Sequence, residues 1–305
     1  MKFGKLTDPD AIAQVDFSIP PDDDHLLEVL GGQASPNFRA YVGCPMWGNK
    51  GWLGKLYPKG TPQNQYLEHY SRSFNTIELN TTHYRVPRPE IIERWRDMTP
   101  IDFRFSPKIP QGISHYRKFL NAEEETKRFV DSISLFEERL GCSFVQLHPS
   151  FGPELMGNLE RFLIAFPAGI PLAIEFRHAD FFVDQQLIPE ARAILEAHGA
   201  APVITDVAGR RDVCQVSLTN KVAMIRFVGN ALHATDYSRT DAWIERIAHW
   251  VSLGLEELYF FVHEPDDTYA PEMGEYVIKK LNERFGLDLA IPGIHNLGNQ
   301  QMSLF

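Results

Sequence analysis

FNTIELNTTHYR, residues 74–85, is the stretch on which the fold turns. Phe74 to Leu79 is apolar enough to lie inside the protein, yet Glu78 sits within that run and Asn80, Thr81, Thr82, His83 and Tyr84 come directly after it. A short continuous apolar run reads as a strand covered on both faces. A carboxylate at its end, with a polar cluster directly behind, reads as a strand that delivers side chains to a shared site.

Seven further runs of the same kind recur along the chain: RAYVGC (39–44), FRFSPKI (103–109), SFVQLH (143–148), PLAIEF (171–176), PVITD (202–206), VAMIRF (222–227) and LYFFVH (258–263). They are continuous rather than alternating, as parallel strands with helices on the outside should be. Helical patterns separate them. Over 121–140, Phe129, Ile133, Phe136 and Leu140 fall on one face, and Asn121 with Glu124 reads as a capping box. Pro189 opens a second helix that Gly199 stops. Trp243, Ile247, Trp250 and Val251 stripe a third, and Val277, Leu281 and Phe285 a fourth. Shorter helices are expected at 62–72, 89–97 and 155–166, and only a short one, if any, after Asp206. Eight strands alternating with helices predict an α/β fold, a single parallel (β/α)8 TIM-type barrel, with a doubly wound sheet as the alternative. The expected organisation is an N-terminal extension packed on the barrel (1–38), the barrel (39–290) and a C-terminal tail (291–305).

Composition agrees with one large globular unit: 305 residues, 44% hydrophobic and 23% charged. The net charge of −10 gives no general attraction to nucleic acid or an anionic membrane, so an anion has to be held by a local basic site. No run approaches a membrane span, the start MKFGKLTDPD has no secretory pattern, and a cytoplasmic location is expected. Cys44, Cys142 and Cys214 are too scattered for a disulfide framework.

Chemistry in such barrels gathers where strands end. The strand ends here carry Cys44 with Trp47 and Trp52; Glu78, Asn80, His83 and Tyr84; Lys108 and His115; Gln146 and His148; Glu175, Arg177 and His178; Asp206; Arg226; and His263 with Glu264. Lys108, Arg177 and Arg226 suit a phosphate or carboxylate group. Glu78, Glu175, Asp206, His178 and Lys108 are the candidate catalytic groups, and Trp47, Asn80, Tyr84, His115, Gln146, Arg177, Arg226 and His263 the candidate substrate contacts. The bland alternative is that Glu78 and Glu175 only neutralise the arginines, and that Trp47 and Trp52 only pack. His148, His178 and His263 have ligand types for a divalent metal, but no short spacing joins them, so no cofactor is assigned.

The segments YVGCPMWGNKGWLGKLYPKG, FNTIELNTTHYRVP, FRFSPKIPQGISH, VQLHPSF, AIEFRH and ITD, in this order, resemble domain-of-unknown-function family 72, the YecE-like proteins. The resemblance covers about residues 39–285 and implies a TIM-type barrel with its motifs around the mouth, at Trp47, Glu78, Asn80, Tyr84, Lys108, His115, Gln146, Glu175, Arg177, His178 and Asp206. It implies no reaction. The last strand departs from the family's Asn-rich ending with FVHEPDD, so His263 and Glu264 are expected to alter the chemistry or the ligand.

The chain closes on QMSLF, residues 301–305, which resembles the bacterial sliding-clamp-binding pentapeptide. Leu304 and Phe305 would enter apolar pockets on the partner, beside Met302, while Gln301 fixes the register. Three functions stand open: an enzyme acting on a phosphate-bearing substrate, DNA or a nucleotide among them, by acid–base or metal-assisted chemistry; a sugar-phosphate or hydroxy-acid isomerase or lyase; and a non-catalytic ligand-binding module. The expected partners are an anionic or phosphorylated ligand in the mouth and the clamp on the tail, with DNA reached only indirectly or locally and no membrane.

Overall fold

The computed structural model describes residues 4–294. Eight parallel strands form the barrel: β1 (Arg39–Cys44), β2 (Thr76–Leu79), β3 (Arg104–Pro107), β4 (Ser143–Gln146), β5 (Leu172–Glu175), β6 (Ala201–Asp206), β7 (Val222–Val228) and β8 (Glu257–His263). Ladders join β3-β2-β1-β8-β7-β6-β5-β4 in that order. The remaining seam, between β3 and β4, closes through the single bridges Phe105 to Leu140 and Lys108 to Phe144, with the Ile109 amide donating to the Phe144 carbonyl at 2.8 Å. The sequence-based strands agree in number and order and differ by no more than two residues at either end. Pairing of β5 with β6 is short, Ala173 with Ala201 and Ile174 with Pro202, and Pro202 brings no N–H to the ladder.

Outside lie α1 (Tyr66–Tyr70), α2 (Pro89–Asp97), α3 (Glu123–Ile133), α4 (Met156–Ala165), α5 (Pro189–Ala197), α6 (Ala234–Leu253) and α7 (Ala270–Phe285). The helix expected over 121–140 is corrected at both ends. Asn121 has φ 49°, Ala122 is the N-cap and no side chain caps it, so the capping box does not form. After Ile133 the chain tightens into a 3₁₀ turn, Ser134–Arg139, broken by Glu137 at φ 54°. Between β6 and β7 the chain forms a single 3₁₀ turn, Arg211–Val213.

Helix α7 shows how the sequence sets an outer element. Pro271 fits its first turn, Met273, Val277, Ile278 and Leu281 are buried on one face, and Gly286 ends it at φ 65°, the left-handed conformation a glycine adopts without strain. At Gly43 the requirement is space, because a Cβ there would lie 2.1 Å from the Thr76 carbonyl oxygen of the neighbouring strand. Only a residue without a side chain lets β1 and β2 approach this closely.

Residues ahead of β1 lie against the barrel. Leu26 and Leu30 join the main core, Asp22 accepts from Arg246 at 2.9 Å and Trp250 at 2.8 Å, and Asp23 accepts from Arg192 at 2.8 Å. Among the described residues no helix is long and apolar enough to cross a membrane.

Candidate functional site

Side chains two apart on a strand share a face, so each barrel strand offers the interior every second residue. The lower interior is filled by Tyr41, Phe144, Ala173, Val203, Met224, Tyr259 and Phe261, a cluster separate from the core under the helices. One step further along the same faces, Phe144 leads to Gln146, Ala173 to Glu175, Met224 to Arg226 and Phe261 to His263. Thr76 leads to Glu78, and Ser106 to Lys108. An apolar floor is thus overlain by polar groups from six strand ends, at the end where the βα loops begin.

Hydrogen bonds join these groups into one lattice. Arg226 is its hub. Its Nε and Nη2 each donate to Glu78 at 2.9 Å, one to each carboxylate oxygen, and its Nη1 donates to Glu175 Oε2 at 2.6 Å. Glu175 also accepts from Arg177 Nε at 2.8 Å and from Gln146 Nε2 at 2.9 Å. Gln146 Oε1 accepts from Lys108 Nζ at 3.1 Å. On the other side Glu78 accepts from Asn80 Nδ2 at 2.8 Å and lies 2.8 Å from His263 Nε2. The Arg226 and Lys108 cations lie 5.6 and 5.7 Å from the centroid of the Phe144 ring below them.

Electrostatics follow from burial. Glu78 and Glu175 are fully buried, which by itself would raise their pKa values. For Glu78 the adjoining Arg226 and His263 outweigh burial and hold it well below the usual range. For Glu175, Arg177 and Arg226 do the same, holding it at about 2. Lys108 differs. It is 4% exposed, and among the described residues its ammonium has one hydrogen bond and no carboxylate within ion-pairing distance. Burial, with Arg226 adding repulsion, lowers its pKa to about 8. Two carboxylates therefore face three basic groups, Arg226, Arg177 and Lys108, and the excess sits on the lysine.

Beside Lys108 three imidazoles stand in a row, His83 to His115 at 4.9 Å between centroids and His115 to His148 at 5.4 Å. His83 Nδ1 lies 2.9 Å from the Ile109 carbonyl, so that nitrogen carries the proton and Nε2 is left to accept. His148 Nδ1 accepts from the Ser150 amide at 3.1 Å, which puts the proton of the neutral ring on Nε2. Burial and Lys108 lower His83 to about 4; burial and the neighbouring His83 do the same for His115. Both rings are neutral at neutral pH.

The lattice brings together Glu78, Asn80, Lys108, Gln146, Glu175, Arg177, Arg226 and His263, with His115 joined through the imidazole row. Other expected site residues stand apart. Asp206 faces outward between the barrel and α6, because Val203 and Thr205 hold the inward positions of β6; it accepts from Trp243 Nε1 at 2.7 Å and Arg239 Nε at 3.2 Å, and pairs with Arg211. Arg239 is itself held between the rings of Phe17 and Phe227, at 4.5 and 4.2 Å. Asp206 is thus engaged by Arg239, Arg211 and Trp243, away from the lattice. His178 is one residue past the inward Arg177, so it turns away and caps the 3₁₀ turn Ala179–Phe181. Arg226 is 1% exposed, with three guanidinium nitrogens on carboxylates, and it holds the lattice together.

Trp47 packs edge-on against Trp95 of α2 at 5.1 Å, and Trp52 is fully buried with its Nε1 donating to the Asp267 carbonyl. Tyr84 is 73% exposed and lies outside the lattice. His148, His178 and His263 each serve different partners, and among the described residues no three His, Cys, Asp or Glu side chains converge as metal ligands.

Of the residues read at the strand ends, His83 carries no expected catalytic or contact role, and Glu264 only an expected influence on the chemistry or the ligand. His83 occupies the position five residues after Glu78, in the polar cluster behind β2, and its alternation with exposed Tyr84 was the available signal. Glu264 is 5% exposed; its Oε2 accepts from the Ala231 amide at 2.8 Å, its Oε1 has no hydrogen-bond partner among the described residues, and burial with nearby Asp236 raises its pKa to about 8. With His263 and Asp267 it lines a cleft of about 270 Å³ at the mouth. The tail residues Gln301, Met302, Leu304 and Phe305 lie outside the described residues.

Comparison with known proteins adds the family. The UPF0759 protein YecE of Escherichia coli strain K12 is 30% identical over 283 residues, covering 87% of this chain and 99% of that protein. The UPF0759 protein YunF of Bacillus subtilis is 29% identical over 150 residues, 47% of this chain and 52% of that one. A crystal structure of a DUF72 family protein from Thermotoga maritima has a TM-score of 0.63 at 23% identity, covering 80% of this chain and 98% of that one, and one from Enterococcus faecalis gives 0.63 at 20%, covering 81% and 98%. At these identities the structures carry the fold alone. Residues 41–293 match the family described as protein of unknown function DUF72, and the chain belongs to it.

Proposed function

We propose that the barrel mouth is an active site for a phosphate-bearing substrate, with Lys108 as both anion contact and proton-transfer group. One observation carries this reading: a buried ammonium with a single hydrogen bond and no ion-pairing carboxylate among the described residues. A buried charge is stable only when paired and fully hydrogen-bonded. An arriving anion would complete Lys108, and the pKa of about 8 leaves the amine able to take or give a proton near neutral pH.

Glu78, Arg226 and Glu175 form the frame on which Gln146 and Arg177 are aimed, and the neutral imidazoles of His83 and His115 offer hydrogen bonds to uncharged parts of the ligand. Acid–base chemistry is favoured over metal assistance by the donor set, since the carboxylates of the lattice are already engaged by arginines and the histidines by separate partners.

Thermal unfolding with phosphomonoesters, over pH 6 to 9, tests the reading. Saturating ligand at about a hundred times its Kd stabilises the native state by roughly 2.7 kcal/mol. The shift should fade above pH 8 as Lys108 loses its proton, and should vanish in Lys108→Met. An equal shift in that variant, or none with any phosphomonoester, refutes the proposal.

The QMSLF tail supports a second element, docking on a bacterial sliding clamp, which would deliver an acidic barrel to DNA by tethering rather than by surface charge. Binding of the full chain to the clamp, lost on removing residues 301–305, is the expected result; undiminished binding or none rejects it.

A further inference from the structure

The tripeptide His-Tyr-Arg occurs twice, at 83–85 after β2 and at 115–117 after β3. The two copies meet: the His83 and His115 rings lie 4.9 Å apart, turned inward beside Lys108, while Tyr84 and Tyr116 turn outward and are 73% and 75% exposed. Both tyrosines line one groove of about 420 Å³, together with Arg85, Glu125 and Arg128. Glu125 faces Arg117 at 3.6 Å, whereas the side chains of Arg85 and Arg128 have no hydrogen bond or ion pair among the described residues. On a chain of net charge −10, two unpaired guanidinium groups beside two exposed phenol rings form a local cationic and aromatic surface. Exposed tyrosine rings next to fixed positive charge match a ligand whose planar rings alternate with phosphates.

We propose that this groove is a nucleotide subsite, in which Tyr84 and Tyr116 stack on bases and Arg85 and Arg128 hold phosphates, of a single-stranded nucleic acid or of a free nucleotide. The inference rests on the reading of the mouth as a site for phosphate-bearing ligands and names their class. His83 lines the groove and packs against His115 in the imidazole row beside Lys108, which makes the groove a neighbour of the mouth.

The test is fluorescence anisotropy of the full chain with a labelled oligothymidylate, with thymidine monophosphate as competitor. Stacking on aromatic side chains is commonly worth about fivefold or more in affinity for each base. Replacing both tyrosines by alanine should therefore weaken binding by about 25-fold or more, and replacing both by phenylalanine should leave it nearly intact. Replacing Arg85 and Arg128 by glutamine should flatten the dependence of log affinity on log salt by about 1.4. Competition by the monophosphate assigns the groove to free nucleotides; competition only by oligonucleotides assigns it to a strand. Binding unchanged in the alanine pair, displacement by heparin with equal strength in wild type and the alanine pair, or no binding at low salt overturns the inference. The outcomes separate from those for Lys108: phosphomonoester stabilisation lost in Lys108→Met, without tyrosine-dependent binding, sinks the groove alone, and the reverse pattern sinks the Lys108 reading alone.

Discussion

Replacing Arg226 with methionine removes the hub of the lattice while keeping most of its volume. Glu78 and Glu175, both at zero exposure, then lose three hydrogen bonds between them, of 2.9, 2.9 and 2.6 Å. Each keeps something, Glu78 the contacts to His263 and Asn80, and Glu175 those to Arg177 and Gln146. Breaking a buried pair by removing one partner costs about 3–5 kcal/mol, because the survivor is left charged in a low-dielectric site. Two carboxylates share this partner, so the upper half of that range, about 4–5 kcal/mol at pH 7, is the expected loss.

The pH dependence has a definite sign. In the wild type both carboxylates are held below their unfolded values, so their contribution is complete above about 4.5 and is lost as pH falls through their lowered values, about 2 for Glu175. In the variant they protonate more readily, and the deficit shrinks as pH drops from 7 toward 5. Urea unfolding followed by tryptophan fluorescence at both pH values measures it, since Trp52, Trp243 and Trp250 are fully buried reporters. Adding Glu78→Gln to Arg226→Met should recover part of the loss. A deficit under about 1 kcal/mol, or one of equal size at pH 5 and 7, would refute the account of Arg226 as the counter-charge of the lattice.

Two other changes probe the surroundings. Glu264, raised to about 8 in the fold, contributes stability that is fully present below about 4.5 and declines as pH rises to 8; Glu264→Gln should remove that slope and leave the protein more stable than wild type at pH 8.5. Calorimetric melting between pH 5 and 9 checks it, and parallel curves for the two proteins would contradict the assignment. Asp206→Asn leaves the Arg239 cation with one fewer buried partner and should cost about 3 kcal/mol while leaving any phosphomonoester-induced shift at Lys108 unchanged. Loss of that shift in a folded Asp206→Asn protein would reinstate Asp206 as a site residue.

The barrel was legible because its signal is redundant: eight apolar runs, each separated from the next by helical or turn spacing, leave few alternatives. The polar groups at the strand ends were legible as a class. Which of them meet depends on parity along each strand. Counting by twos from Met224 puts Arg226 inside, and counting from Val203 puts Thr205 inside and Asp206 outside; the same count separates Arg177 from His178. Even with parity in hand, the division of Glu78 and Glu175 around one arginine needs distances between β2, β5 and β7 that no single segment encodes. The failed capping box at Asn121 has another origin, since the backbone there turns through φ 49° and the helix begins two residues later.

The seam between β3 and β4 gives the barrel a mechanical character that its closed outline conceals. Seven of its boundaries are continuous ladders, whereas this one is stitched at isolated points. Lys108 is itself one of the stitches, facing Phe144, and its ammonium reaches across to Gln146 on the far side. The wall is therefore joined only by isolated bridges at the place where the buried, singly hydrogen-bonded Lys108 resides. A ligand that completes Lys108 would also act as a clasp, so that occupancy of the mouth and stiffness of the wall become one variable.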